Sequence, residues 1–278
     1  MSTVSKISTH YTHGDLLNTI EHALRQSGES LDTVTPEQLT SIDEFHIGGR
    51  EATEHLFSHI PLLDNAKIAD LGCGLGGTAR YLTSHYQCDV FGIDVTNEYL
   101  KVGQIFNQKL GLSTHIKFLQ ASALTLPFIA NSLDVITMLH VGMNIADKQQ
   151  MFKEAYRCLG QGGYFLVYDV MRTSQAEIVY PLPWASSARD SHISTLEHYQ
   201  TLLLNEGFEI LAVNHRREFA LQFFNQQATS IKTSGIKPIL SLQTIIQNDA
   251  KIKFNHLINQ IKSQVFEPIE IVAVKRMP

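Results

Sequence analysis

Three closely spaced glycines and one carboxylate occur together in the segment KIADLGCGLGGTARYL, and this pairing restricts which ligand the turn could hold. Gly72, Gly74 and Gly77 follow a short apolar run in the spacing G-x-G-x-x-G. Glycines between a strand and a helix let a ligand approach the backbone, and dinucleotide sites use such a turn for a pyrophosphate. Asp70, two residues before the first glycine, would repel a pyrophosphate. We therefore expect a ligand with a cationic group here.

A second carboxylate, Asp94, ends the apolar segment VFGID and could accept hydrogen bonds from both hydroxyls of a ribose. Nicotinamide sites share this feature, so Asp94 alone does not discriminate between ligands. S-adenosylmethionine (SAM) satisfies both observations, because it has a ribose, an ammonium and a sulfonium but no phosphate. Its carboxylate can still bind backbone N–H groups of the turn. The two carboxylates predict a SAM site and make a nicotinamide oxidoreductase the weaker alternative.

The bulk composition excludes several function classes. The chain has 278 residues, 44% of them hydrophobic, which allows one substantial core with a cap or two small domains. A formal net charge of -5 argues against nucleic acid as the main partner, since such binding requires a basic face. Cys73, Cys88 and Cys158 form no C-x-x-C pair, so neither disulfides nor metal ligands are predicted. Without a signal region or a membrane span, we expect a cytoplasmic protein.

From Lys67 onward, apolar runs alternate with helical patterns, which predicts an α/β fold. Five strands come first, and EILAVNH and IEIVAVKR supply the last two. We expect a Rossmann-like, mostly parallel seven-stranded sheet with helices on both faces and its ligand at the carboxyl ends of the strands. One intervening helix should end at Gly111, and another should have Ser194 as its N-cap and Glu197 at N3.

The regions outside this core also have helical spacing. Residues 1–62 are predicted to form N-terminal helices that cover the cofactor site. Residues 63–215 and 265–278 form the predicted core, and residues 216–264 form a helical insertion or lid before the last strand. A loop of that length without structure is rare in a compact domain. The apolar stripe of the insertion would face either the core or a partner subunit, so a homodimer stays open.

Five segments in order resemble the successive motifs of class I SAM-dependent methyltransferases. They are ADLGCGLGG, GIDVTNEYL, ALTLPF, LDVITMLHVGMNI and AYRCLGQGGYFLVYDV. DEFHIGGREAT and YPLPWA are similar to a small-molecule subgroup related to sarcosine/dimethylglycine and phosphoethanolamine N-methyltransferases. The resemblance covers the chain from Asp43 to Gly207 and the final strand. It implies a Rossmann-like fold with SAM as the cofactor.

The resemblance implies roles for residues at these motifs. The methionine end of SAM lies at the glycine turn, the ribose and adenine at the next two strand ends, and the sulfonium near His140. The implied cofactor residues are Asp70, Gly72, Gly74, Asp94, Val95, Ser122, Ala123, His140, Gly48 and Gly49. One position departs from the family, which has an aspartate where this chain has Ser122. An uncharged hydroxyl should bind the adenine amino group more weakly than a carboxylate.

Methyl transfer is an in-line displacement at carbon, so an enzyme mainly aligns the reactants and excludes water. An amine acceptor must lose its proton first, and a histidine is the natural acceptor near neutral pH. His140 and His46 are the candidates for that role. Candidate acceptor-binding residues are the aromatic residues Trp184, Tyr180 and Tyr11, and Arg172, which could pair with a carboxylate. A purely structural role is the alternative for each.

The sequence thus predicts a SAM-dependent methyltransferase of a small molecule. An amine nitrogen is preferred, in an acceptor resembling glycine, sarcosine, dimethylglycine or phosphoethanolamine. The alternative is a carbon or oxygen of a quinone, tocopherol-like or polyketide ring, because the same core serves all of these reactions. Ser122 also keeps open a SAM-binding protein with little catalysis. An apolar slot under the insertion would favour a ring, whereas an aromatic box with an arginine would favour an amine.

Overall fold

The computed structural model describes residues 11–12, 14–61, 65–234, 240 and 249–276. Its strands are β1 (Lys67–Leu71), β2 (Asp89–Asp94), β3 (Ile116–Gln120), β4 (Leu133–Leu139), β5 (Leu159–Arg172), β6 (Phe208–His215) and β7 (Phe266–Lys275). They form one sheet in the order β3-β2-β1-β4-β5-β7-β6. The strands β1 to β5 pair in parallel, and β7 is antiparallel to both β5 and β6. The predicted mostly parallel seven-stranded sheet is confirmed.

Helices cover both faces of this sheet, as predicted. They are α1 (Leu16–Gln26), α2 (Pro36–Asp43), α3 (Gly49–Phe57), α4 (Gly77–Tyr86), α5 (Asn97–Lys109), α6 (Lys148–Cys158), α7 (Leu196–Asn205), α8 (Arg217–Ser234) and α9 (Ala250–Lys262). Side chains of β5 alternate between the two cores, because successive residues of a strand point to opposite faces. Phe165 and Val167 join the core under α6 and α7, whereas Leu166 and Tyr168 join the core under α3 and α4.

The ends of two helices test the predicted capping residues. Gly111 lies just beyond the last residue of α5 with φ +71°, a left-handed conformation that favours glycine, so this predicted helix end is confirmed. The N-cap of α7 is Thr195, whose side chain accepts from the N–H of His198 at 3.3 Å. The predictions of Ser194 as N-cap and of Glu197 at N3 are both wrong, because the helix begins one residue later, which puts Glu197 at N2. The carbonyl of Ser194 instead accepts a backbone hydrogen bond from Arg172 at the end of β5.

Two helical regions lie outside the predicted core in the chain. The helices α1 and α2 pack on α5 through an apolar cluster that includes Leu24 and Phe106. The helices α8 and α9 lie in the predicted insertion and share an apolar cluster with Trp184 and Phe266. Residues 235–239 and 241–248 of the insertion lie outside the described residues. No helix in the described part of the chain combines the length and the apolar run that crossing a bilayer requires.

Candidate functional site

A cavity of about 270 Å³ opens at the carboxyl ends of β1, β2 and β4. Its inner side, here called the sheet wall, consists of Gly72, Gly74, residues 93–96, Tyr99, residues 121–124 and residues 139–141. Its other side, the outer wall, consists of Tyr11, Phe45, Ile47, residues 143–147, Pro183, Trp184, Lys253, Phe254 and Leu257. The cavity therefore joins the glycine turn to side chains from the N-terminal region and from α9.

The glycine turn is held in place by backbone hydrogen bonds. The N–H groups of Gly72 and Cys73 both donate to the carbonyl of Ile93, at 2.7 and 3.1 Å. Gly72 has φ +70°, and a Cβ added to it would lie 2.3 Å from Cγ2 of Val141. Both the conformation and the lack of space demand glycine here. The turn consequently presents bare backbone to the cavity.

Asp94 is fixed at the tip of β2 by two backbone amides. Its Oδ2 accepts from the N–H of Gly74 at 3.0 Å, and its Oδ1 accepts from the N–H of Thr96 at 2.8 Å. Each carboxylate oxygen can accept more than one hydrogen bond, so both can still bind hydroxyl groups in the cavity. This geometry suits the two hydroxyls of a ribose.

Asp70 lies behind the glycine turn, next to other carboxylates and outside the cavity lining. It is 3% exposed. Burial, followed by repulsion from Asp94 and Glu44, raises the pKa of Asp70 to about 8. Burial also raises the pKa of Glu44 to about 7. Because buried neighbouring carboxylates disfavour one another's charge, a cationic group at this turn would be stabilised.

Glu44 adds an observation that the sequence did not supply. Its Oε1 accepts from Nε of Arg50 at 2.6 Å, whereas its buried Oε2 has no hydrogen-bond partner. A buried carboxylate oxygen without a partner is costly, so a donor brought by a ligand would be favoured. Glu44, like Asp70, lies behind the cavity lining, so the residues present fit the ammonium group of SAM through their charge and through this unpaired oxygen.

Ser122, the position that departs from the family motif, lies just after β3. Val95, Ser122 and Ala123 all line the cavity. The Ser122 hydroxyl oxygen accepts from the N–H of Leu124 at 3.2 Å. The hydroxyl is thus used partly to close its own turn, which leaves it a weaker acceptor than a free carboxylate for an adenine amino group.

His140 lies in the sheet wall, but its ring is bound to the backbone. Its Nδ1–H donates to the carbonyl of Tyr168 at 3.2 Å, and its Nε2 accepts from the N–H of Ile47 at 3.3 Å. Burial is the main reason why the pKa of His140 falls to about 3. Neither nitrogen is free to take a proton from an acceptor, so the predicted role of His140 as a base is not supported. It ties Ile47 of the outer wall to the sheet.

His46 lies outside the cavity lining and shapes the turn before α3. Its Nε2 donates to the carbonyl of Gly49 at 2.8 Å and lies 2.9 Å from Oγ1 of Thr53. Burial lowers the pKa of His46 to about 4. The structure therefore does not support His46 as a proton acceptor. Gly48 and Gly49 also lie outside the lining, and Ile47 is the residue of this turn that reaches the cavity.

The four predicted acceptor-binding residues separate into two groups. Trp184 and Tyr11 line the cavity, and Trp184 Nε1 donates to the hydroxyl of Ser191 at 3.0 Å. Tyr180 lies outside the lining and packs in the apolar cluster around Trp184. Arg172 also lies outside it, because its guanidinium donates to backbone carbonyls of its own loop, those of Ser174 and Ala176. The predicted pairing of Arg172 with a substrate carboxylate is not supported.

The outer wall includes residues that sequence reasoning missed. Lys253, Phe254 and Leu257 reach it from α9. The helical spacing of this segment predicted the helix, but it could not show which face meets the cavity. Lys253 is half-buried and makes no hydrogen bond or ion pair in the described part of the chain.

Comparison with known proteins supports the fold and identifies a methyltransferase domain. Residues 69–167 match the methyltransferase domain family. Phosphoethanolamine N-methyltransferase 3 of Arabidopsis thaliana is 24% identical over 188 residues, which cover 66% of this chain and 37% of that protein. The chain thus spans well under two thirds of the length of that curated relative.

Two solved structures share the fold. A putative sarcosine dimethylglycine methyltransferase from Galdieria sulphuraria has a TM-score of 0.66 and 21% identity, over 81% of this chain and 85% of that one. Geranyl diphosphate C-methyltransferase from Streptomyces coelicolor A3(2) has a TM-score of 0.71 and 16% identity, over 99% and 98%. The domain match lies on the strands that carry the glycine turn and Asp94, so residues 69–167 are a methyltransferase domain, and SAM is the cofactor that this site fits.

Proposed function

We propose that this chain transfers the methyl group of SAM to a small-molecule acceptor, with an amine nitrogen as the preferred nucleophile. The observation that carries the proposal is one cavity that joins the glycine turn to an aromatic and apolar outer wall. The similarity to a phosphoethanolamine N-methyltransferase and to a putative sarcosine dimethylglycine methyltransferase supports the choice of nitrogen.

In this proposal, the residues in and behind the sheet wall bind SAM and set its orientation. Asp70 and Glu44 supply negative charge for the ammonium, and Asp94 accepts from the ribose hydroxyls. Val95 and Ala123 bound the adenine. When bound, SAM supplies a methyl group on a sulfonium, which is already a good leaving group. The protein therefore needs to position the acceptor and exclude water.

The outer wall would favour the uncharged form of an amine without a dedicated base. Apolar surroundings disfavour an ammonium, so they lower the pKa of an amine that enters the cavity. Ile47, Met143, Trp184, Phe254 and Leu257 supply such surroundings. With His140 bound to the backbone through both nitrogens, the proton would leave to solvent before the amine is enclosed.

Methylation of carbon or oxygen on an apolar acceptor is the second candidate. The apolar outer wall favours it, as does the position of Arg172 outside the cavity. For either candidate, we propose that the acceptor also carries an anionic group. Lys253 is the one lysine or arginine among the described lining residues, and no carboxylate of the described chain pairs with it. A carboxylate or a phosphate on the acceptor would supply that partner.

A matched acceptor panel tests these proposals. The purified chain is incubated with SAM and with amines, phenols and activated ring carbons, each with and without a carboxylate or phosphate. Mass spectrometry measures S-adenosylhomocysteine and the methylated product. We expect N-methylation of an anionic amine. Methylation of phenols or ring carbons alone would instead support the second candidate, and SAM binding by calorimetry without any product would contradict both.

A further inference from the structure

We infer that His55, His59 and Glu270 form a binding site for a divalent transition-metal ion, with zinc as the best fit. His55 is in α3, His59 follows that helix, and Glu270 is in β7. None of the three residues lines the cavity, so the site is separate from the one that binds SAM. Sequence reasoning considered only cysteines as metal ligands and missed this cluster, because β7 follows α3 by some two hundred residues.

The spacing of the ligand atoms carries the inference. Nδ1 of His55 lies 2.9 Å from Oε2 of Glu270, and Nε2 of His59 lies 3.9 Å from the same oxygen. One ligand atom from each residue lies within 4.8 Å of the other two. Zinc bonds of about 2.0–2.2 Å in a tetrahedron separate the ligand atoms by about 3.3–3.6 Å. The two distances to Glu270 bracket that separation, so small side-chain rotations would complete the geometry.

The surroundings of Glu270 orient its carboxylate toward the two histidines. Glu270 is 0% exposed, and its other oxygen, Oε1, lies 3.4 Å from Nε of Arg216. A charged partner behind a ligating carboxylate is the arrangement that fixes metal ligands in proteins. The side chains of His55 and His59 are 38% and 29% exposed, which gives an ion access and leaves room for water as a fourth ligand.

Two neighbours limit the affinity. The side-chain amide of Asn214 donates to Nε2 of His59 at 2.9 Å and to Oε2 of Glu270 at 3.1 Å, so it must turn aside when an ion binds. The positive charge of Arg216 also opposes a second cation. We therefore expect tighter binding than at a lone surface histidine but weaker binding than at a closed zinc site.

Zinc at this position would join α3 to β7. The turn before α3 carries Ile47 into the cavity, so the ion would also stabilise this part of the outer wall. Because a metal that binds only the folded state raises its stability, zinc should raise the melting temperature. This readout is independent of methyl transfer.

The test uses the tag-free, chelator-treated full chain and three variants. Zn²⁺ is titrated in competition with a coloured chelator, Co²⁺ is titrated in the visible range, and melting is followed with and without Zn²⁺. The variants His59→Gln and His55→Gln each remove one ligand. His115→Gln removes a histidine that pairs with Asp89 at an exposed position. It controls for the loss of one unrelated histidine among the 13 of the chain.

We expect the unmodified chain and His115→Gln to bind one ion per chain with a higher melting temperature. The His59→Gln and His55→Gln variants should bind at least about tenfold more weakly and lose the cobalt absorption and the shift in melting. Equal binding by all variants, or no stoichiometric binding by the unmodified chain, would overturn the inference. Glu270→Gln is not used, since it would also remove the partner of Arg216.

Discussion

The two walls of the cavity differ in how they are built. The sheet wall comes from the tips of adjacent parallel strands, and backbone hydrogen bonds fix its parts, as those to Ile93 and Asp94 show. The outer wall comes from segments far apart in the chain, including those around Ile47, Trp184 and Phe254. Hence strand order positions the sheet wall, whereas the outer wall depends on how distant segments pack.

The walls also differ in charge. Behind the sheet wall, the buried carboxylates of Asp70 and Glu44 lie close to Asp94, which is half-buried and lines the cavity. The outer wall is largely apolar. Its carboxylate, Asp147, accepts from the N–H of Gln150, and its cation, Lys253, has no partner among the described residues. A cationic cofactor and an anionic, partly apolar acceptor would therefore bind on opposite sides. Substitutions in one wall should change the binding of one reactant and leave the other nearly unchanged.

The largest effect is expected from Gly72→Ala in the sheet wall. The added Cβ would lie 2.3 Å from Val141 and would push that side chain into the cavity. We expect the affinity for SAM, measured by calorimetry, to fall by at least about a hundredfold, because the displaced valine would occupy space that the cofactor needs. Binding of an acceptor in the absence of SAM should change much less.

Gly111→Ala is the matched control for this variant. Gly111 has φ +71°, nearly the +70° of Gly72, but no atom of the described residues lies within 4 Å of an added Cβ. Both substitutions carry the cost of a left-handed alanine, about 1–2 kcal/mol. The difference in SAM affinity between the two variants therefore measures the effect of the contact between the added Cβ and Val141 alone. Equal affinities would show that Gly72 is needed only for its backbone conformation.

Asp70→Asn should have the next largest effect. It removes a negative charge behind the turn that would hold the SAM ammonium and retains the shape, so we expect SAM affinity to fall by about ten- to a hundredfold. With a pKa of about 8, Asp70 is largely protonated at neutral pH, and binding a cation would release that proton. Calorimetry in buffers of different ionisation enthalpy should detect proton release by the unmodified chain and much less by the variant.

The raised pKa of Asp70 also predicts how the stability of the protein without cofactor depends on pH. The pKa of Asp70 rises from 3.8 to about 8 on folding, so its contribution is fully present below 3.8 and is lost as the pH rises through about 8. Urea unfolding should show a steeper loss of stability over this range in the unmodified chain than in Asp70→Asn. Asp89→Asn, at an exposed ion pair, is the control. Parallel profiles for the unmodified chain and Asp70→Asn would contradict the assignment.

The sequence was most informative about the sheet wall because its signals are local. The glycine turn, Asp70 and Asp94 lie at the ends of short apolar strands, and the parallel order brings those ends together. Glu44 was missed although it lies in a segment that resembled the family. Its significance depends on an unpaired oxygen, which only the folded structure reveals.

The outer wall shows what the sequence could not specify. Arg172 ends β5 and Trp184 lies in the loop after it, yet the guanidinium turns to carbonyls of that loop while the indole reaches the cavity. Side-chain direction in an irregular loop follows no periodicity. Lys253 lies on a predicted helix, but its face depends on how α9 packs against β7 and α8. Residue type alone therefore suggested Arg172 as the cation of the site, whereas Lys253 lines the cavity.

Lys253→Met tests the outer wall with a smaller expected effect. Methionine retains an apolar chain of similar length but has no charge. We expect the KM for an anionic acceptor to rise by about five- to tenfold, because an exposed or half-buried charge pair contributes about 1 kcal/mol. The affinity for SAM should not change. Lys251→Met, at an exposed position of the same helix, should leave both values unaltered, and an equal rise in KM there would show a general charge effect.

The smallest effect is expected from His140→Asn. This variant tests whether the two walls only align the reactants or whether His140 also accepts a proton. His140 has φ +56°, a conformation that asparagine tolerates, and its ring links Ile47 to Tyr168. Because its pKa of about 3 keeps it neutral throughout the working range, kcat should fall less than about tenfold. The pH profile of kcat should keep its shape between the unmodified chain and the variant. Loss of an inflection near about pH 6 in the variant would restore His140 as a proton acceptor.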